Sequence, residues 1–314
     1  MKQNIEDIAN IGSRSPKALT PAEREKVSAY FKSIDWTNPV ERKVVADTIT
    51  RRVAELVRVE DITQFYARRD DFNVGDTPEY HFEKGIKSYV HEPGTFAVRS
   101  TVIKRTLTLD TELVSVNPEM EISQLASGRY GNIASITKMC RDELAGRKNA
   151  ILWNVLRTSI PSTTADGNYV SVSNTASVAV KKNFLASGLD YVDDVAKVKA
   201  IVGRRSVLGF INDGEGYSEA WKEKIDGAGG TLLTAFRGVP VIALHQYTDG
   251  WDVNRIPATD IMIVAEDTTV LAQTEDIGSL DNIDADTRMW NLHMFEKYGA
   301  AVFWPERNYR IAVT

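Results

Sequence analysis

The sequence predicts an α+β subunit in which a protruding β-hairpin is followed by further strands and then by a long helix. Residues 77–105 show the alternation of two strands around a turn at residues 92–94, and residues 132–157 carry an apolar stripe at helical spacing. Residues 176–277 then alternate short helices and strands. This order suits a subunit that reaches its neighbours more than an enzyme folded around a pocket.

The composition sets the outer limits of this prediction. The chain has 314 residues, of which 43% are apolar, enough for a substantial core in one elongated domain or two smaller ones. The net charge is −5 and no block of lysine and arginine occurs, which argues against sequence-specific DNA binding. No uncharged run approaches the roughly 20 residues of a membrane span, and residues 1–15 lack an apolar signal core. We therefore expect a soluble, intracellular protein with no membrane partner.

Two helices are predicted near the N-terminus. Thr20, Pro21 and Glu23 form the capping pattern of a helix that runs to about residue 34. A second helix begins near Pro39, and its basic residues, Arg42 among them, are interpreted as a solvated face. Residues 1–19 are too polar for a core of their own and are a candidate arm that orders on a neighbour. The predicted buried stripe of the second helix comprises Val40, Val44, Val45, Ile49, Val53, Leu56 and Val57.

The predicted hairpin over residues 77–105 has charges of both signs along its strands. Such a pattern suits contact with a complementary subunit surface, but it equally suits solvated strand edges that charge protects from unwanted pairing. Both interpretations stay open. Its apolar strand positions are Tyr80, Phe82, Ile86, Tyr89 and Val90 before the turn, and Phe96, Val98, Val102 and Ile103 after it.

The long helix over residues 132–157 follows strands at residues 106–109 and 113–116. At 1.5 Å per residue it would extend about 39 Å, and Pro161 ends it. The only cysteine, Cys140, lies on its apolar stripe and is predicted to be a small buried side chain. The stripe comprises Ile133, Ile136, Cys140, Leu144, Ile151, Leu152, Val155 and Leu156, whereas Lys138, Arg141, Arg147 and Lys148 are placed on other faces.

The second half of the chain is predicted to alternate helices and strands and to end in β-structure. We expect helices over residues 176–187, 192–202 and 218–225, and strands over residues 207–211, 231–236, 239–244 and 260–265. Residues 288–314 have a strand pattern with turns at Gly299 and Pro305.

No catalytic, cofactor-binding or metal-binding residue is predicted. The sequence lacks a Gly-x-Ser-x-Gly elbow and a phosphate-binding loop. The glycines of residues 227–230 follow a predicted helix and are interpreted as a helix cap, and residues 212–216 lack the closing glutamate of a calcium loop. The four histidines, His81, His91, His245 and His293, are scattered without the spacing of a zinc site.

An acidic stretch near the C-terminus has three possible interpretations. It could bind a divalent cation or meet arginines of a neighbour, and a solvated loop is favoured over both. The stretch comprises Glu275, Asp276, Asp281, Asp284 and Asp286.

The order of these elements resembles that of the major capsid proteins of tailed bacteriophages, which have the Hong Kong 97-type phage major capsid fold. Two local stretches add to the resemblance: Phe-Arg-Gly-Val-Pro-Val-Ile at residues 236–242 and Tyr-Gly-Ala-Ala-Val at residues 298–302. The resemblance implies five segments. They are an N-arm with N-terminal helices (1–60), an extended E-loop hairpin region (61–110), a peripheral domain with a long spine helix (111–165), an axial domain (166–280), and closing strands of the peripheral domain (281–314).

The resemblance also implies a function. The chain would self-assemble as pentamers and hexamers into an icosahedral shell that encloses packaged double-stranded DNA without sequence-specific contact, and it would not be an enzyme. Portal and scaffolding proteins are implied partners, with decoration proteins as further candidates. The location would be the virion capsid, and the host cytoplasm during assembly. An encapsulin-type nanocompartment shell enclosing cargo enzymes is the main alternative, and a soluble enzyme without a recognisable motif is another.

The hairpin tip is the candidate intersubunit contact, because it would lie over an adjacent subunit. No lysine–asparagine crosslink can be placed on particular residues, so crosslinking is not predicted. The candidate contact residues are His91, Glu92, Pro93, Gly94, Arg99, Lys104 and Arg105.

Overall fold

A computed structural model of the chain consists of two β-sheets joined by one long helix, with a separate two-stranded hairpin. It describes residues 20–60, 62–84, 103–126, 130–162, 167–212, 235–244, 256–284 and 287–314. In these ranges the helices are α1 (Pro21–Ser33), α2 (Pro39–Glu60), α3 (Ile122–Ala126), α4 (Tyr130–Ser159), α5 (Val178–Val195) and α6 (Arg205–Leu208), with 3-10 turns at Ile62–Phe65, Gly209–Asn212 and Pro305–Arg307.

The strands, numbered in chain order within the same ranges, cover most of the second half of the chain. They are β1 (Arg68–Asp71), β2 (Glu79–Lys84), β3 (Ile103–Thr108), β4 (Glu112–Val116), β5 (Glu119–Glu121), β6 (Tyr169–Val172), β7 (Val198–Arg204), β8 (Ala235–Phe236), β9 (Val239–Leu244), β10 (Asp260–Ala265), β11 (Thr269–Asp284), β12 (Met289–Val302) and β13 (Tyr309–Val313).

The N-terminal helix α1 begins with the predicted capping box. The hydroxyl of Thr20 accepts a hydrogen bond from the Glu23 amide at 3.3 Å, and the Glu23 carboxylate accepts one from the Thr20 amide at 2.9 Å. Each bond satisfies an amide at the helix start that has no partner within the helix.

Helix α2 confirms most of its predicted stripe, but not at Val40 and Val44. Val40 and Val44 are 70% and 38% exposed. Arg42 takes the sheet-facing position instead: its side chain donates to Asp281 of β11 at 3.4 Å and to the backbone carbonyl of Trp36 at 3.1 Å. The prediction of a solvated Arg42 was wrong because a guanidinium can be buried when a carboxylate and a carbonyl satisfy it.

The first sheet has the strand order β1-β11-β12-β4, with β5 also paired to β12. Strand β11 runs parallel to β1 and antiparallel to β12, and β12 runs antiparallel to β4 and β5. One face of this sheet packs against α2 and the first half of α4 in an apolar cluster that we call the first core. Its members include Val45, Ile49, Val53, Cys140, Leu144, Trp290, Leu292 and Met294.

The second sheet has the order β6-β13-β10-β7-β9-β8. One face packs against the second half of α4 in a second core, which includes Leu152, Trp153, Leu156, Val202 and Met262. The other face packs against α5. The chain leaves this sheet after β10, ahead of the predicted segment limit at residue 280, and returns to it with β13. The assignment of the segments to capsid domains remains a prediction.

Strands β9 and β10 have the bounds predicted from the sequence, but two neighbouring predictions were wrong. Residues 198–204 form strand β7 where a helix over 192–202 was predicted, and residues 207–211 lie in helical turns where a strand was predicted. Strand β7 is central, so Ala200, Ile201 and Val202 are buried on both faces. A strand buried on both faces loses the alternation that distinguishes it from a buried helix. The predicted helix over 218–225 lies outside the described residues.

Four of the five acidic residues, Glu275, Asp276, Asp281 and Asp284, belong to strand β11, so the favoured interpretation as a solvated loop was wrong for them. Asp286 lies outside the described residues. Asp281 pairs with Arg42, and Asp276 pairs with Arg58, both on α2 of the same chain. Glu275 lies opposite Lys297 of β12. The sequence pattern did not indicate a strand here, because the arginines that neutralise Asp276 and Asp281 lie on α2, more than 200 positions away in sequence.

Gly299 is not at a turn, contrary to the prediction, since β12 continues through it to Val302. A Cβ atom there would lie 2.5 Å from the backbone carbonyl oxygen of Asp110. This close approach of two backbones explains why the position is a glycine.

Gly299→Ala is expected to destabilise the protein by about 1 to 3 kcal/mol, because the new methyl group must displace backbone atoms. The midpoint of urea unfolding measures the change. Gly209→Ala is the matched control, since nothing lies within 4 Å of its Cβ position and its backbone is α-helical. Equal midpoints for the two variants would contradict the structural role of Gly299.

Candidate assembly interface

The predicted hairpin is present at its base. Strands β2 and β3 pair antiparallel from Glu79 opposite Thr108 to Lys84 opposite Ile103. Every pair is equidistant along the chain from the Pro93–Gly94 bond, so the register agrees with the turn predicted at that position. The turn itself lies outside the described residues.

Of the candidate contact residues, the structure describes two, both on β3. Lys104 is exposed and lies opposite Glu83, and Arg105 lies opposite Phe82. Their role in contact with another subunit remains a prediction. The other candidates, His91, Glu92, Pro93, Gly94 and Arg99, lie outside the described residues.

An aromatic cluster that the sequence analysis missed fixes the base of the hairpin. The ring of Phe303 lies 4.8 Å from that of Tyr80 and 4.7 Å from that of Phe82, and the Phe82 ring lies 5.6 Å from that of Trp304. The Arg68 guanidinium lies 5.9 Å from both the Tyr80 and the Phe303 rings. Aromatic pairs at these distances contribute about 0.5 to 1.5 kcal/mol each beyond their burial. The hairpin therefore leaves the body of the protein from a packed base.

The face of the first sheet opposite the first core carries exposed apolar side chains. The register places Leu280 opposite His293 on one strand pair and Leu113 opposite Lys297 on another, so these side chains share a face with Phe295. Leu113 is 60% exposed and Leu280 is 66% exposed. We call Leu113, Leu280, His293 and Phe295 the outer face. A partner that lay on this side of the sheet would cover both leucines.

A buried charge cluster joins the end of α4 to the second sheet. Asp260 of β10 is 1% exposed and accepts hydrogen bonds from Arg157 at 2.9 Å, from Arg310 at 2.7 Å and from the Thr259 hydroxyl at 2.7 Å. Arg310 also donates to the backbone carbonyls of Arg157 and Ile160 at 3.3 and 2.9 Å. It thereby caps the carboxyl end of α4, whose last carbonyls have no partner within the helix. We call Arg157, Asp260 and Arg310 the clamp.

A second buried ion pair holds the middle of α4 to the first sheet. The ammonium of Lys148 lies 3.0 Å from the Glu296 carboxylate and 5.4 Å from the Tyr298 ring centre. The two charged side chains are only 4% and 0% exposed. Lys148 was predicted to lie off the apolar stripe of α4, and it is buried nonetheless, because α4 is enclosed on most sides where it passes from the first core to the second.

Among the described residues, no group of three or more His, Cys, Asp or Glu side chains is placed to hold a metal ion. No helix in the same part of the chain combines the length and the apolar character that crossing a membrane requires. Cys140 is 2% exposed, as predicted, and burial raises the pKa of its thiol to about 12.

The fold is similar to that of protein chains in several solved phage and virus-like particle structures. A structure from Gordonia phage Cozz matches with a TM-score of 0.58 and 16% identity over 81% of this chain and 86% of that one. A virus-like particle from Pyrococcus furiosus matches with a TM-score of 0.57 and 12% identity over 84% and 98% of the two chains. The capsid of cyanophage P-SCSP1u matches with a TM-score of 0.55 and 12% identity over 81% and 88%.

These matches establish a class of fold. The chain has the Hong Kong 97-type phage major capsid fold, which confirms the fold predicted from the order of its elements. No protein-family model matches the sequence, and no curated protein does. The relationship is therefore one of structure.

The clamp generates a stability prediction. Asp260→Asn is expected to cost about 3 kcal/mol of unfolding free energy, because the largely buried Arg310 and the partly exposed Arg157 lose the carboxylate that neutralises them. Urea unfolding measures the loss. Glu266→Gln is the matched control, since it breaks the exposed Lys197–Glu266 pair of the same region and should leave the midpoint nearly unchanged. The clamp would be unimportant if both variants unfolded at the same urea concentration.

Cys140 generates a pH prediction. Its thiol pKa is 9.0 when exposed and about 12 in the folded chain, so the unfolded state loses this proton first as the pH rises. The stabilisation by the buried thiol is complete below the unfolded pKa and is lost as the pH rises toward the folded pKa. As the pH rises from about 9 toward about 12, the parent protein should therefore lose more unfolding free energy than Cys140→Ala. Parallel pH profiles for the two proteins would contradict this.

Proposed function

We propose that this chain is a major capsid protein that self-assembles as pentamers and hexamers into an icosahedral shell around packaged double-stranded DNA. The single observation that carries the proposal is the shared fold, which extends over 81% of this chain and 88% of a cyanophage capsid protein. An enzyme would need a pocket with convergent titratable groups. The role proposed is structural and not catalytic, which agrees with the capsid structures that share the fold.

The mechanism proposed is interlocking of subunits. The hairpin of one copy would lie over the outer face of the next, with the tip residues 91–94 and Arg99, Lys104 and Arg105 making the polar contacts. Covering a leucine that is about 60% exposed gains only about 1 kcal/mol. Such weak contacts become decisive when every subunit of a closed symmetric shell makes them at once.

The rigid parts of the subunit suit this mechanism. The aromatic cluster around Phe303 sets the direction in which the hairpin leaves, and α4 would act as the spine helix that holds both sheets in one body. Residues 1–60 would contribute the N-arm, and the second sheet the axial domain. Because the cluster and the clamp are held by contacts within one subunit, assembly would not have to order them again.

The partners proposed follow from the same fold. The chain would assemble chiefly with itself, and with portal and scaffolding proteins and in some shells decoration proteins. It would enclose DNA without reading its sequence, which agrees with a net charge of −5. The location proposed is the virion capsid, with the host cytoplasm as the site of assembly.

Electron microscopy of the purified protein tests the proposal. Closed particles of uniform diameter support a shell. Small oligomers with a deep polar cleft would instead support the alternative of a soluble enzyme. The contents of particles from the natural source then separate two kinds of shell. Nuclease-protected double-stranded DNA supports a capsid, and an enclosed enzyme supports an encapsulin-type compartment.

Deletion of residues 88–97 is expected to leave a folded monomer that forms no closed shells. Residues 85–87 and 98–102 remain to connect β2 to β3, whose ends lie side by side, so the ladder and its aromatic base need not change. Thermal unfolding checks the fold, and electron microscopy checks assembly. The control replaces residues 88–97 by a glycine-serine segment of equal length, which keeps the loop but removes its side chains. Normal shells from the deletion variant would contradict the interlocking mechanism.

A further inference from the structure

Helix α5 carries its charged side chains in the order opposite to the one that its own dipole favours. The amino end of a helix favours acidic side chains, and the carboxyl end favours basic ones. In α5, Lys181 and Lys182 lie near the amino end, whereas Asp193 and Asp194 lie in the last turn. We call Val180, Lys181 and Lys182 the basic end of α5, and Asp193, Asp194 and Val195 its acidic end.

Three other helices of the chain follow the usual order where they carry terminal charges. Helix α1 has Glu23 in its first turn and Lys32 in its last, and α2 has Glu41 in its first turn and Arg58 in its last. Helix α4 has the basic Arg157 in its last turn. The charges of α5 weaken that helix slightly instead of supporting it, so their explanation lies outside the helix.

The acidic end of α5 is open to solvent. Asp193 and Asp194 are exposed, and within the described ranges neither is in an ion pair. The nearby Arg237 is paired instead with Asp190 of the same helix, at 3.3 Å. Cations supplied by another molecule would therefore be stabilised at the acidic end.

An exposed valine accompanies the charges at each end. Val180 is 40% exposed and Val195 is 49% exposed. Between the two ends, α5 is packed closely on the second sheet, since a Cβ atom on Gly188 would lie only 2.7 Å from the Ile263 side chain. The sheet thus holds the helix in place, and each end presents a small apolar surface beside its charges.

The two ends complement each other in charge, but they cannot meet within one subunit. Lys182 and Asp193 are eleven positions apart, which is about 16 Å along a helix. When two copies of α5 lie head to tail, the acidic end of one approaches the basic end of the next. The ion pairs then add to the attraction between the two helix dipoles, and the two valines cover each other.

We propose that α5 forms a head-to-tail contact between copies of the chain, with the acidic end of one copy against the basic end of the next. A contact between two different patches is heterologous, and it closes into a ring when the rotation from copy to copy permits. The inference rests on the proposed shell, whose pentamers and hexamers are such rings. It adds a contact that is separate from the hairpin.

Charge reversal at the acidic end tests the contact. Asp193→Lys combined with Asp194→Lys is expected to lower the yield of shells at least tenfold, because lysines would then face lysines. The variant should unfold at the same temperature as the parent or at a higher one, since lysines suit the carboxyl end of a helix. A loss of assembly with this thermal stability is therefore not a loss of folding.

Compensating reversal at the basic end is the matched control. Adding Lys181→Asp and Lys182→Asp to the same variant restores the net charge of −5 and the complementarity of the two ends, so shells should return. Normal shells from the reversal at the acidic end alone, or no shells after compensation, would overturn the inference and leave the shell proposal intact. A parent protein that formed neither rings nor shells would overturn both.

Disulfide formation locates the contact directly. Lys182→Cys and Asp193→Cys are combined in a Cys140→Ala background, and dissolved oxygen oxidises pairs of thiols to disulfides. The two new cysteines of one copy are too far apart to join, since a disulfide needs Cα atoms within about 7 Å. The expected product on a non-reducing gel is a ladder of crosslinked multimers that extends beyond the dimer. Each single variant is a control and should give no crosslink.

Two results of the crosslinking would overturn the proposal. A ladder that stopped at the dimer would indicate an antiparallel two-fold pair of helices instead of a head-to-tail contact. The absence of any crosslink would remove α5 from the contact between copies. Electron microscopy of the same proteins before oxidation scores shell formation separately, so either result can be told apart from a failure of the proposed function.

Discussion

The burial of helix α4 in two cores at once is the constraint on which the rest of the fold depends. Its first half packs through Cys140 and Leu144 against the first sheet, and its second half packs through Trp153 and Leu156 against the second. A helix of this kind cannot carry a single stripe from end to end, since the two sheets meet different faces. It is the element that joins the two sheets into one body.

Buried charges fix α4 along its own axis, which apolar packing alone does not. Apolar contacts tolerate sliding and repacking, whereas an unpaired buried charge is strongly destabilising. Lys148 must therefore meet Glu296 in the middle of the helix, and Arg310 must meet both Asp260 and the last carbonyls at its end. These contacts add specificity of position more than net stability, because the desolvation of the charges offsets much of their attraction.

The sequence analysis succeeded where local chemistry decides the structure and failed where distant partners do. The capping box at Thr20, the extent of α4 and the bounds of β9 and β10 could be predicted from capping, periodicity and alternation. The buried Lys148 could not, because its partner is on β12. Nor could the aromatic base of the hairpin: Tyr80 was recognised as a strand residue, but nothing near it in sequence indicates that Phe303 packs against it.

The structural similarity at 16% identity or less is what a non-catalytic shell role would permit. Cores accept many apolar combinations if volume and pattern are kept, and no reaction centre restricts which residues remain. Such a role requires only that the hairpin keep its direction and that a surface be present for it to contact. The aromatic cluster around Phe303 sets the direction of the hairpin, and the outer face with Leu113 and Leu280 is the proposed contact surface. In the proposed shell these surfaces would face other copies of the chain, so their sequences could change together as long as each subunit still fitted its neighbour.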